Sequence, residues 1–351
     1  MSAPGNNFRQ REQIKELLSH HGAAIGVHPA GAIAVEGPTR TGRYSRIFRA
    51  AVPGLATALA VKCVLDPETG EPDRVSARTQ FDALDRVHRA MASSSFRVPK
   101  PYLLAEPQGV IVIEWIHAKS MTDLLLSWRL SREEARRLMR QAGLWLRSFI
   151  EAHRLPPGKL NVEDKLRGIA SVEHSVVFRH SSARDAVDAL RAYAGPAGSY
   201  ELERSWVHGD FKTDNLLADG ESVVGVDVHV RHENPVVHDV AAFLNHWELT
   251  LCHPRAWRWR PWRAELSREF LQSFDASYMQ EKRLPYLWTA LYVMLGNWEE
   301  FINRETRTIQ HAYLGRCFSS VVRRMTRELH EAARNGISPV AWNGKADGTG
   351  P

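Results

Sequence analysis

The predominant hydrophobic pattern of this chain shifts near Ile116, and that shift decides which folds are open to it. Up to about Ile116 the apolar residues come in short runs punctuated by glycine and proline; from Met121 onward they recur at three- and four-residue spacing, the period of a helix buried on one face. After an opening helix over Phe8–Leu18, the spacing predicts strands at Ala32–Val35, Tyr44–Val52 and Thr57–Leu65, with turns at Gly37-Pro38 and Pro53-Gly54. A helix over Val75–Met91 places Phe81, Leu84 and Val87 on one face, and two strands follow, Tyr102–Ala105 and Val110–Glu114. The second is almost wholly apolar, as a central strand is. Helices are then predicted over Ser131–His153, where Ser131-Arg132-Glu133-Glu134 has the capping-box pattern, and over Asp185–Ala194, Asp239–Leu249, Arg263–Tyr278, Leu287–Arg304 and Thr308–Arg334. One β-like insert, Trp206–Val230, interrupts them. The pattern predicts an α+β fold of two lobes: a small antiparallel-sheet lobe over residues 1–116, a larger mainly helical lobe over 117–336, and a disordered tail over 337–351. A ligand is expected between two such lobes.

Composition narrows the class of function. The three cysteines, Cys63, Cys252 and Cys317, lie far apart, so neither a disulfide framework nor a structural zinc site is encoded. Met1–Gly22 is polar, and the most apolar stretches, Gly109–Ile116 and Leu287–Leu295, are much shorter than the roughly 18 residues of a membrane span. A cytoplasmic protein without integral membrane association is expected. The 46 basic and 40 acidic side chains leave a formal charge of +6, a mild attraction for anions, but no nucleic-acid module or stacking motif is present and no nucleic-acid partner is expected. No Gly-x-Ser-x-Gly elbow supports serine hydrolysis.

The β-like insert carries the chemistry. It reads Trp206-Val207-His208-Gly209-Asp210-Phe211-Lys212-Thr213-Asp214-Asn215-Leu216-Leu217, then Gly225-Val226-Asp227-Val228-His229. Phosphoryl transfer needs a carboxylate for the acceptor hydroxyl and an amide or carboxylate pair to hold a divalent cation, all facing one phosphate. Asp210 and Asn215 are five positions apart, the separation of the kinase catalytic loop. Apolar pairs flank Asp219-Gly220, a predicted tight hairpin turn that brings Asp227 back beside Asn215.

His208-Gly209-Asp210, Asn215 and Asp227 together resemble the aminoglycoside phosphotransferase and choline kinase superfamily, which has the protein-kinase-like fold. The resemblance implies a kinase using ATP and Mg²⁺ on a small-molecule hydroxyl acceptor, either sugar-containing, an amino alcohol or aminoglycoside-like. It implies Asp210 as catalytic base, Asn215 and Asp227 as Mg²⁺ ligands and Asp239 as a structural acid. Lys212 resembles the lysine two positions after the base in Ser/Thr protein kinases, where it steadies the transferring phosphate. Lys62, in Ala60-Val61-Lys62-Cys63-Val64, resembles the β3 lysine that pairs with the α/β-phosphates. In that frame Glu114-Trp115-Ile116 is the hinge, its backbone reading the adenine edge while Trp115 and Ile116 enclose the ring. The loop from Gly37 to Ser45 covers the phosphates with two glycines, Gly37 and Gly42, and Ser45 is a candidate nucleotide contact. Where the superfamily has a glutamate for the lysine, this chain has Gln80, with Asp82 the nearest acid, so either Asp82 reaches Lys62 or Gln80 offers an amide. His229 follows Asp227 by two, and Mg²⁺ disfavours an imidazole.

Two other kinds of protein compete with this reading. A protein-directed kinase is favoured by Lys212 and opposed by the long helical insert and the missing DFG and APE elements. A nucleotide-binding pseudokinase or scaffold is favoured by Gln80 and the sparse glycines. Remaining features carry bland and sharp readings side by side. His208, His229, His232 and His238 fit no zinc signature. The run Arg255-Ala256-Trp257-Arg258-Trp259-Arg260-Pro261-Trp262-Arg263 suits a sugar-containing, anionic acceptor, a cation–π-stabilised surface loop or a membrane-interface contact. Glu299, Glu300 and Glu305 suit a cationic ligand or a solvated face, with Glu300 and Arg304 spaced for an i,i+4 pair.

Overall fold

The computed structural model describes residues 4–26, 31–42, 44–172, 174–218, 222–230, 232–275, 280–303 and 309–335. They form two compact units: the chain up to Ala118 together with Val224–His229, and Lys119–Val223 together with the chain from Val230. The expected turn Asp219-Gly220, the expected tail over 337–351 and the Glu300–Arg304 pair fall on or include residues outside those described.

The first unit is built on β1 (Ala34–Thr41), β2 (Ser45–Ala51), β3 (Leu59–Val64), β4 (Pro101–Ala105) and β5 (Val110–Glu114), an antiparallel sheet in the order β1-β2-β3-β5-β4. Strand alternation divides its residues between two faces. Leu59, Val61 and Cys63 of the central β3 join Phe48, Val112 and, from α1 (Pro4–His20), Ile14 and Leu18 in one core. Val64 and Ile111 pack on the other face with Ala77 of α2 (Arg74–Ala90). Lys62 lies on this second face, opposite Ile111 in the β3–β5 register. Asp73 caps α2 through the Ser76 N–H.

One turn differs from expectation. Gly37-Pro38 lies inside β1, at an irregularity in the register between Glu36 and Arg40, and the chain reverses at Gly42–Ser45, where the Gly42 N–H donates to the Ser45 carbonyl at 2.8 Å. A bulge absorbs the residues that sequence alone assigns to a turn. Gly37 has φ of +114°, and a Cβ there would sit 2.6 Å from the Thr39 nitrogen, so the strand can bulge only with glycine.

The second unit is mainly helical: α3 (Met121–Leu125), α4 (Arg132–Ala152), α5 (Val162–Val172), α6 (Ser181–Gly198), α7 (Val237–Thr250), α8 (Arg263–Leu271), α9 (Arg283–Ile302) and α10 (Ile309–Arg334). The capping box at Ser131 and Glu134 forms as its spacing requires. Helix α9 starts earlier than expected because Pro285 is accommodated in its first turn. Helix α8 stops at Leu271, short of the expected Tyr278, and the chain turns to bury Phe274 against Phe270. The core of this unit gathers Leu190, Trp288, Leu291, Met294, Trp298 and Val322 from α6, α9 and α10. Among the described residues no helix is long and apolar enough to cross a membrane.

Two features here were not predicted. One is α5. The other is a sheet ordered β11-β8-β7, made of β7 (Arg154–Lys159), β8 (Glu201–Trp206) and β11 (Glu233–Pro235). Pro156 and Pro157 sit in the register break of the edge strand β7 between Leu155 and Gly158, where no ladder donor is needed. Strand β6 (Lys119–Ser120) pairs antiparallel with β9 (Leu216–Ala218), and β10 (Val223–Gly225) is where the chain passes back to the first unit.

Candidate active site

The loop between β8 and β9 is anchored from beneath. His208 is fully buried among Trp145, Phe149 and Phe211, and its backbone N–H donates to Asp239 Oδ2 at 2.8 Å. Asp239, 1% exposed near the start of α7, thus fixes the loop's entry. Gly209 turns the chain with φ of +85°, a conformation that favours glycine. Phe211 points down into a stack with Trp145 and Phe243. The neighbouring Asp210 keeps a partly exposed side chain.

Asp210 is held from two sides. Lys212 Nζ lies 2.7 Å from its Oδ2, and Asn215 Nδ2 donates both to Oδ2 and to the Asp210 carbonyl at 2.9 Å. A single 3₁₀ turn over Thr213–Asn215 sets the five-residue spacing that lets the amide reach back. With Nδ2 committed, the Asn215 amide presents its carbonyl oxygen elsewhere.

Behind this loop is a relay that the sequence did not suggest. Thr122 Oγ1 of α3 lies 2.6 Å from Thr213 Oγ1, which lies 2.8 Å from His246 Nδ1 of α7. His246 Nε2 is 3.5 Å from Asp214 Oδ2. The His246 hydrogen bond leads the effects that hold the Asp214 carboxyl well below the usual range, outweighing burial, and Thr122 and Lys212 add to it. The legible part of the signal was His246 itself, seven residues after Asp239 and so two turns along the same helix face.

In the first unit Lys62 Nζ makes an ion pair with Asp227 Oδ1 at 2.5 Å. Asp227 has φ of +55°, a region in which aspartate is enriched among non-glycine residues. Burial disfavours its charge, yet the Lys62 ammonium and its hydrogen bond, with His229 and Arg40, hold the Asp227 carboxyl down to about 2. Neither residue offered as the lysine's helical partner reaches it: among the described residues neither Gln80 nor Asp82 bonds to Lys62. Asp82 is exposed on α2, next to the buried Ala83 and Leu84 that face the sheet.

The hinge segment is also tied down. Glu114 accepts from Arg97 Nη1 at 2.5 Å and from the Lys100 N–H, so its carboxylate braces the strand ends. The Trp115 N–H donates to the Ala58 carbonyl at 2.9 Å, so among the described residues the Trp115 carbonyl and the Ile116 backbone are the hinge groups left uncommitted. Ser45 opens β2 opposite Val64, with its carbonyl engaged by Gly42.

The Arg/Trp run is a 3₁₀ helix over Pro254–Trp262 in the second unit. Trp259 is buried and donates to the Leu125 carbonyl at 2.7 Å, while Arg258 stacks on it at 4.1 Å and bonds the carbonyls of Ser127 and Trp128. Arg132 lies 3.4 Å over Trp262 and Arg260 4.9 Å over Trp257. Cation–π contacts thus organise the segment, and Trp257 remains 48% exposed.

Comparison with known proteins adds an independent line. Residues 66–278, more than half of the chain, match the model of the phosphotransferase enzyme family. No curated protein matches the chain. A choline/ethanolamine kinase family protein from Mesorhizobium loti is similar in structure, with 15% identity, a TM-score of 0.61 and coverage of 93% of this chain and 99% of that one. A putative aminoglycoside phosphotransferase from Ralstonia eutropha gives 13% identity and a TM-score of 0.57, covering 91% and 98%. An amicoumacin kinase solved with AMP-PNP, Ca²⁺ and its antibiotic gives 10% identity and a TM-score of 0.55, covering 89% and 96%.

Proposed function

We propose, proceeding from the fact that this chain belongs to the phosphotransferase enzyme family, that it moves the γ-phosphate of ATP to a hydroxyl of a small molecule, with Asp210 as the base. Membership makes it a small-molecule kinase with an alcohol acceptor; the nucleotide, the ion and the residue roles are the proposal. The observation that carries it is the double restraint on Asp210. Lys212 and Asn215 both engage Oδ2, so Oδ1 is the oxygen left to orient an acceptor hydroxyl and accept its proton. Lys212 also puts a positive charge beside the point where negative charge develops on the transferring group.

The residues present fit a magnesium ion. The Asn215 carbonyl oxygen and the Asp227 carboxylate are hard oxygen donors, and Mg²⁺ is commonly held by one or two such groups together with phosphates and water. Among the described residues no cluster of three or more His, Cys, Asp or Glu competes as a metal site. Bound ATP and Mg²⁺ would supply the electrophilic phosphorus. Lys62 would hold the nucleotide's phosphates, Ile116 would read the adenine edge and Ser45 would contact the phosphates from β2. The similar structures include choline, ethanolamine, aminoglycoside and amicoumacin kinases, which supports an amino-alcohol or amino-sugar acceptor class.

The test is ATP consumption with Mg²⁺ over a panel of choline, ethanolamine, aminoglycosides and simple sugars, with product identified by mass. Acceptor-dependent turnover that falls by about 10²–10⁴ in Asp210→Ala supports the reading. Turnover that survives the substitution rejects it.

A further inference from the structure

The back of α7 lines a cavity of about 580 Å³ that α8, α9 and α10 also border. On α7, Leu244 and Glu248 face this cavity while His246 faces the loop of Asp210. Residues two apart on a helix point about 200° from each other. The cavity therefore lies on the opposite side of the helix from the catalytic loop and is separate from the place where Asp210 would meet an acceptor.

The lining combines the apolar Leu244, Leu271, Leu287 and Met325 with charged residues from all four helices. Its charges do not balance. Glu248 is paired with Arg263 at 3.3 Å and with Arg324 at 2.9 Å, and Glu328 lies 3.8 Å from Arg324. Two carboxylates thus face four guanidinium groups, counting Arg268 and Arg283. Burial pushes the pKa of both Glu248 and Glu328 up, against the pull of Arg324. Arg283 feels the charge of Glu328 but makes no hydrogen bond and no close ion pair among the described residues, and its Nε is buried without a hydrogen-bond partner. A buried donor without an acceptor is costly, and burial strengthens its attraction for negative charge.

We propose that this cavity is a second ligand site, for a small amphiphilic anion whose carboxylate or phosphate head meets Arg283 and whose apolar body packs on Leu244, Leu287 and Met325. Size and polarity agree with the usual small-molecule site, a mostly apolar pocket with a few convergent polar groups. The site does not depend on the identity of the phosphoryl acceptor.

Octanoate and hexyl phosphate are the probes, titrated by calorimetry into the full-length protein, with octanol and inorganic phosphate as body-only and head-only controls. Two variants are compared, Arg283→Gln, which removes the charge, and Ala264→Trp, which fills the cavity from α8; circular dichroism reports whether each is folded. The expected result is saturable binding of one or both amphiphilic anions, at least about tenfold weaker for octanol and for phosphate, and weakened about tenfold or more in each folded variant. Preference for the carboxylate or for the phosphate identifies the head group. No saturable binding of either anion to the wild type overturns the proposal, and so does binding that Arg283→Gln and Ala264→Trp leave unchanged.

Discussion

Substituting His246 with alanine isolates the relay that supports the catalytic loop from behind. The change removes the partner of Thr213 Oγ1 at 2.8 Å and that of Asp214 at 3.5 Å. Thr213 keeps Thr122 at 2.6 Å, so no hydroxyl is orphaned and the full desolvation penalty is avoided. One neutral hydrogen bond is worth about 1 kcal/mol, and the longer, partly exposed contact with Asp214 up to about 1 kcal/mol. If that roughly 1–2 kcal/mol restrains the Asp210–Asn215 loop in its reactive geometry, kcat should fall about 5- to 30-fold. The ATP KM should stay within about twofold, because His246 is argued to act on the loop and not on nucleotide binding. Steady-state kinetics with varied ATP and with varied acceptor separate the two effects. His246→Gln, which can still bond Thr213, should recover part of the loss. A kcat within twofold of wild type, or a change in ATP KM alone, would refute the reasoning.

Other expectations follow from the same structure. Lys62→Met should weaken nucleotide binding, measured by fluorescence titration, and should also alter acid stability. Asp227, held to about 2 against an ordinary value near 3.9, contributes stability that is full above about pH 4 and is lost as the pH falls through about 2; denaturant unfolding of wild type and variant should therefore diverge at pH 7 and converge near pH 2. Trp259→Ala should cost about 3–5 kcal/mol of stability, since the ring is buried and hydrogen-bonded. The exposed Trp257→Ala should cost within about 0.5 kcal/mol; equal melting points for the two would contradict the packing described. Gly143→Ala should lower the melting temperature sharply, because its Cβ would run into the Phe270 carbonyl oxygen where α4 meets α8.

The features legible in the sequence were local ones. Short apolar runs bounded by glycine and proline located β2, β3 and β5, and the capping box located the start of α4, because each depends on residues a few positions apart. The Gly37-Pro38 turn failed for the same reason: whether a glycine makes a reversal or a bulge is decided by the register with β2, which spacing along one strand does not contain. Strand β7 was hidden by Pro156 and Pro157, which ordinarily argue against a strand and are tolerated here at an edge. The relay was hidden by distance, since Thr122 and Thr213 are 91 residues apart and nothing local marks a threonine as the partner of a histidine. Asp210, Lys212 and Asn215 stood out because one short loop must carry all of them. The partner of Lys62 is neither Gln80 nor Asp82 on the neighbouring helix but Asp227, 165 residues along the chain, a separation that local spacing does not reveal.

Asp210 as the base is the central claim, and Asp210→Asn tests it with the least disturbance to shape. The amide keeps an oxygen to face Asn215 and Lys212 but cannot accept the acceptor's proton. Phosphorus NMR of ATP, ADP and phosphorylated acceptor, run beside nucleotide binding by calorimetry, reads both halves of the claim. The account predicts ATP binding within a few-fold of wild type and transfer slowed by about 10²–10⁴. Transfer at the wild-type rate in the Asp210→Asn variant would contradict it.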